Sequence, residues 1–133
     1  MDKALRQYVR ERALYRCEYC RLRQCDETAT PFHVEHVIAK QHNGEDFAEN
    51  LALACCWCNA LKGPNLASID PDTGTLTRLF HPRTDRWEEH FVREGPLILG
   101  ISDIGRTTGW LLQFNSQTNV DQRTLLLMLG ELD

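Results

Sequence analysis

HVEHVIAKQHNGEDFAENLALACCWCNALKG, residues 33–63, alternates short apolar runs with side chains of specific chemistry. Its first part, with Phe32, gives FHVEHVIA, rich in β-branched and aromatic residues, which predicts a strand. KQHNGEDFAEN (40–50) is turn-rich, with Asn43-Gly44 near its start. LALAC (51–55) predicts a second short extended run. Cys56 to Lys62 has helical composition and stops at Gly63-Pro64, an ordinary helix C-terminal signal. The expected order is strand, loop, strand, helix.

Two cysteines of this stretch, Cys55 and Cys58, form a C-x2-C pair. A second pair, Cys17 and Cys20 in CEYC, lies upstream, with 34 residues between the two pairs. A C-x2-C turn lets two thiolates converge on one ion at Zn–S distances of about 2.3 Å. One such turn is weak evidence, but two together predict a four-cysteine structural zinc site. A thioredoxin-like redox reading lacks its βαβ context. Cys25 and Cys56 remain as ordinary thiols.

Asp2 to Arg16 predicts a helix, capped by Asp2, with an apolar stripe through Ala4, Leu5, Tyr8, Val9, Ala13 and Tyr15 and a wet edge at Arg12. Residues 21–31 and the PNLASIDPDTGTL segment predict loops. Strands are expected at LTRLF (76–80), HFVRE (90–94) and LILGIS (97–102), with Glu94-Gly95-Pro96 as a hairpin turn. Ser102 caps an expected helix over 103–114 that Gly105 and Gly109 weaken. A last helix spans 120–130, with Leu125, Leu126, Met128 and Leu129 as its core side chains.

The chain has 133 residues, 42% hydrophobic and 26% charged, which predicts one folded domain over 1–133. No apolar run approaches the ~20 residues of a membrane span. MDKALRQYVRERALYRC contains no apolar signal-peptide core, so the expectation is a cytoplasmic protein whose cysteines are reduced. The net charge of −4 argues against a uniformly basic nucleic-acid binder. Residues 1–24, however, hold seven basic side chains against three acidic ones, whereas residues 65–133 hold six against ten. A basic N-terminal face carrying Arg6, Arg10 and Arg16 suits phosphate contact. An ordinary solvated helix surface explains those arginines equally well.

CEYC, VEHVIA, ENLALAC and CWCNALKG in this order resemble the HNH endonuclease family, the zinc-containing ββα-metal nucleases. The resemblance covers a motif core of residues 17–63, with 64–133 as an extension; the DPDTG-to-EEHF segment also looks like tails of small bacterial members. It implies an α+β fold: a ββα-metal core with a four-cysteine zinc site, an N-terminal helix, and a C-terminal β-hairpin plus helices. His36 takes the family's general-base position, and its ordinary pKa of ~6.5 suits that task. Glu35 and Asn59 take the positions of the two ligands to a catalytic Mg²⁺ or Mn²⁺. Asn50 takes the position that braces the loop and orients the base, and Lys62 is placed to neutralise a flanking phosphate. The acid is Glu35 where Asp is commoner, Asn59 stands for the family's last His, Ala39 for a Pro, and Asn43-Gly44 for Gly-Gly.

The expected function is metal-dependent endonucleolytic hydrolysis of DNA phosphodiesters, or of RNA. Two alternatives come from other classes: a zinc-stabilised nucleic-acid-binding module without cleavage, and a structural zinc adaptor for another protein. Neither gives Glu35, His36 and Asn59 a reason to occur together.

Overall fold

A computed structural model of the chain describes residues 1–132. It divides the chain into two compact units. The first comprises Met1–Leu66 and His81–Asp85; the second holds the remaining described residues. No helix among the described residues is long and apolar enough to cross a membrane.

The N-terminal unit opens with α1 (Lys3–Arg12), capped by Asp2, whose Oδ1 accepts from the Leu5 amide at 2.7 Å. The helix ends four residues short of the expected Arg16. Leu14 and Tyr15 adopt positive φ of 55° and 57°, which reverses the chain into the CEYC turn. Two left-handed non-glycine residues in succession are costly, and backbone bonds such as Gln24 N to Tyr15 O (2.8 Å) hold them there. Arg12, the expected wet edge, turns inward and donates to Ala48 O (2.9 Å) and Leu51 O (2.7 Å).

Strands β1 (His33–His36) and β2 (Leu51–Ala54) pair antiparallel, with Glu35 opposite Ala52 and His36 opposite Leu51. All four residues of β2 are fully enclosed. Successive strand residues face opposite sides, so both faces of β2 are covered. Helix α2 (Cys56–Lys62) follows immediately, and both α1 and α2 pack on the hairpin. The strand–loop–strand–helix order is thus the observed one.

The C-terminal unit contains the hairpin β3 (Ala67–Ile69) and β4 (Leu76–Arg78), the single-turn helix α3 (Trp87–His90), the hairpin β5 (Phe91–Glu94) and β6 (Leu97–Gly100), then α4 (Asp103–Leu111) and α5 (Gln117–Met128). β3 and α3 were not expected: a three-residue strand and a one-turn helix are too short for periodicity to register. Gly95, at φ 59°, and Pro96 form a two-residue β5–β6 loop with the glycine first, as a type II′ turn requires. Phe80, Phe91 and Phe114 form the aromatic centre, with ring centroids 5.4–5.5 Å apart around Phe91.

One expectation for this unit fails. Of the four side chains of the expected last helix assigned to the core, only Leu126 is buried, and Met128 is 79% exposed. The helix buries Arg123 instead, whose guanidinium donates to Pro96 O, Phe114 O and Asn115 Oδ1 and so joins three chain segments. Leucine count along a helix does not reveal such an insertion.

The two glycines of α4 also differ from each other. Ser102 Oγ caps the helix by accepting from Gly105 N at 2.9 Å. A Cβ on Gly105 would stand 1.9 Å from His90 O, whereas one on Gly109 would meet Phe114 Cδ2 at an ordinary 3.5 Å. Gly105 therefore permits close backbone approach, and Gly109 only loosens the helix. Gly105→Ala is expected to lower stability by about 1–3 kcal/mol through overpacking. Gly109→Ala should be neutral or stabilising by up to ~1 kcal/mol from helix propensity. Chemical denaturation of the two variants beside the parent checks both signs.

Candidate metal centre and acid–histidine site

Cys17, Cys20, Cys55 and Cys58 converge, with every pair of sulfurs within 4.8 Å. Cys17 and Cys20 come from the turn after α1, and Cys55 and Cys58 from the β2–α2 junction. Each pair has the same local geometry: the Cys20 amide points at Cys17 Sγ (3.5 Å), and the Cys58 amide at Cys55 Sγ (3.4 Å). A tetrahedral ion with Zn–S bonds of ~2.3 Å separates its sulfurs by about 3.8 Å. The Cys20–Cys55 separation is 3.8 Å. The residues fit a four-thiolate ion, and the cluster is positioned to bind a metal. Packed this closely, the sulfurs titrate against one another: hydrogen bonding with Cys17 first holds Cys55 low, and pushes Cys20 and Cys58 up. A divalent ion removes that competition, because it deprotonates coordinating thiols. Cys25 is exposed and Cys56 half-buried, and neither belongs to the cluster.

The two residues inside CEYC tie this cluster to the hairpin. Glu18 exchanges two bonds with Leu53 of β2: its amide donates to Leu53 O (2.8 Å) and its Oε2 accepts from Leu53 N (2.9 Å). Its Oε1 pairs with Arg83. Tyr19 is fully buried, and its hydroxyl donates to Glu35 Oε1. Burial, followed by the Glu35 charge, pushes the Tyr19 hydroxyl well above its ordinary range, so it remains a donor.

Glu35 is 7% exposed and Lys62 2% exposed. Lys62 Nζ lies 3.4 Å from Glu35 Oε2 and donates to Val37 O at 2.9 Å. Burial raises the Glu35 pKa, and the Lys62 charge opposes that rise. This placement corrects the reading of Lys62 as a phosphate contact: its ammonium is buried among protein acceptors. A terminal-turn lysine looks exposed in sequence, and only the buried Glu35 explains why it folds inward.

His36, adjacent to Glu35, takes a different partner. Its Nε2 lies 2.6 Å from Asp46 Oδ1, in the loop between β1 and β2. Asn50 clasps that loop: its Oδ1 accepts from Ile38 N (2.9 Å), and its Nδ2 donates to Ile38 O (3.0 Å) and Glu45 O (3.1 Å). Among the described residues, no hydrogen bond joins the Asn50 side chain to His36. Asn59 is half-buried on α2, and its side chain makes no hydrogen bond to another described residue. Glu35 Oε2, at 3.4 Å from Lys62, and the Asn59 amide oxygen are therefore oxygen donors with acceptor capacity to spare. Hard divalent ions prefer that donor type.

The arginines of the basic face are placed less uniformly. Arg6 is exposed. Arg10 and Arg16 are half-buried, and donate to Phe32 O (3.3 Å) and Arg21 O (3.4 Å). Tyr19, Glu18 and Asp46 were not singled out from sequence. The first two sit inside a motif whose cysteines drew the attention, and Asp46 lies in a loop with no periodicity.

Breaking a buried ion pair from one side costs roughly 3–5 kcal/mol, because the remaining charge is uncompensated. Lys62→Met is expected to destabilise the protein by that order, while the double variant Lys62→Met/Glu35→Gln recovers a large part of it. A denaturation-based double-mutant cycle measures the coupling; additive losses would mean that the pair is not coupled.

Residues 17–65 match the family model described as HNH endonuclease. No curated protein and no solved structure matches the chain. The matched segment contains both cysteine pairs, Glu35, His36, Asn50, Asn59 and Lys62.

Proposed function

We propose that the protein is a metal-dependent endonuclease that hydrolyses DNA phosphodiester bonds, with the β1–β2–α2 unit as a ββα-metal core. The observation that carries this reading is the HNH match over 17–65 on a segment whose His36 is held at one ring nitrogen by Asp46. An ordinary structural histidine has no reason to sit beside a buried, compensated acid in this sequence context.

In this reading the four cysteines hold zinc, which has no part in the chemistry. His36 accepts a proton from the attacking water. Asn50 keeps the loop at its working distance by binding Ile38 and Glu45. Lys62 and Tyr19 fix the Glu35 carboxylate and limit its rotation. Glu35 and Asn59 would hold Mg²⁺ or Mn²⁺, which when bound stabilises charge on the phosphate and its leaving oxygen. Arg6 is exposed on α1 for phosphate contact, with Arg10 and Arg16 in supporting positions. The products are a 5′-phosphate and a 3′-hydroxyl.

Proton acceptance and metal holding are separable. His36→Ala should retain bound zinc and its circular dichroism, and lose about 10²–10⁴ in rate. Asn59→Ala should also lose activity, but raised Mg²⁺ or Mn²⁺ partly restores it, and does not restore His36→Ala. A metal titration of plasmid cleavage for parent and both variants decides this. A parent protein that binds DNA but never cuts with any divalent ion would make it a zinc-stabilised binding module instead.

A further inference from the structure

We propose that Asp46 is the positioning residue for His36: its carboxylate takes the proton on Nε2 and leaves Nδ1 as the basic nitrogen. This deepens the nuclease reading and rests on it for the role of His36; the pairing itself rests on geometry.

The His36 Nε2 to Asp46 Oδ1 distance is 2.6 Å, at the short limit for a nitrogen–oxygen hydrogen bond, where charge-assisted bonds also cluster. An ionised carboxylate is an acceptor only. Asp46 is held ionised to about pH 2, first by its bond to His36 and then by its bond to the Met1 amine. The nitrogen facing it must therefore carry a proton, and a neutral imidazole carries only one. Nδ1 then holds the lone pair. The charged groups around Asp46 are the Met1 amine, 3.3 Å from Oδ2, and Lys40 Nζ, 3.8 Å from Oδ1. Both keep the carboxylate charged and neither displaces His36.

The loop is built to hold this contact. Asn50 bonds the backbone at Ile38, near the start of the loop, and at Glu45, the residue before Asp46. Gly44 passes so close to Ile38 that a Cβ there would lie 1.6 Å from Ile38 O. Arg12 ties down Ala48 O from the helix side. The expected effect of Asn50 on the histidine thus runs through the loop backbone to Asp46, and from Asp46 to the ring. Asp46 can do nothing to a phosphate directly in this role; it fixes the tautomer and the ring orientation.

The test uses the full, zinc-loaded chain labelled with ¹⁵N-histidine. The His36 signals are assigned by their loss in His36→Ala. In the parent, neutral His36 is expected as the Nε2–H tautomer alone; in Asp46→Ala it becomes a mixture. In plasmid cleavage Asp46→Ala is expected to lower kcat by at least 10-fold, below the ~10²–10⁴ loss for the base itself, with KM within about twofold. Asp46→Glu should recover part of the loss. Should Asp46→Ala fold poorly by zinc content and circular dichroism, Asp46→Asn makes the same comparison, since its amide offers donor and acceptor alike. A parent His36 protonated at Nδ1, or a tautomer and kcat indifferent to Asp46, overturns the proposal. A tautomer that depends on Asp46 in a parent that never cleaves upholds the pairing and removes the nuclease reading. Cleavage that is unaffected in a folded Asp46→Ala does the reverse.

Discussion

The N-terminal unit depends on four sulfur atoms meeting within 4.8 Å. That convergence joins the turn after α1 to the β2–α2 junction, segments more than thirty residues apart in sequence. The unit contains only about seventy residues, a size at which an apolar core alone gives marginal stability. A structural zinc contributes roughly 10–16 kcal/mol apparent in small peptides, comparable to the whole stability of a domain. An ion held by these thiolates would therefore be the main constraint on the unit.

The constraint reaches the acid–histidine site through particular atoms. Glu18 and Tyr19 lie between two metal-positioned cysteines, and both face the hairpin: Glu18 bonds Leu53 of β2, and Tyr19 bonds Glu35 of β1. On the other side, Cys55 caps α2, the helix that carries Asn59 and Lys62. The Glu35 carboxylate is therefore approached from both halves of the cysteine cluster. His36 is governed separately, by a loop that Asn50 and Arg12 hold at its ends. The two neighbouring side chains on one strand thus have different partners, although the Lys62 ammonium that pairs with Glu35 also reaches the His36 carbonyl at 3.5 Å.

Much of this was readable from the sequence where the signal is local. The two C-x2-C pairs, the Asp2 and Ser102 caps, the limits of α2 and the Gly95-Pro96 turn each depend on a few adjacent residues, and each appears in the structure. The HNH resemblance drew on the same kind of local signal. What was not legible is decided by tertiary partners. Lys62 has the sequence context of a surface lysine and is buried, because Glu35 needs a cation. Met128 and Leu129 have the composition of a core and are exposed, because Arg123 occupies the inner face of α5. Gly105 and Gly109 look alike until His90 O is placed against only one of them. Asp46 is one acid among nineteen acidic residues, and nothing but the folded loop singles it out.

The account stands on a metal-held frame beneath the histidine. Zinc K-edge X-ray absorption, with metal quantitation, on protein purified without added metal tests that frame most directly. The account predicts one zinc per chain, with a first shell of four sulfurs at about 2.3 Å. A protein that is folded with far less than one metal ion per chain, or a first shell containing nitrogen or oxygen, would contradict it.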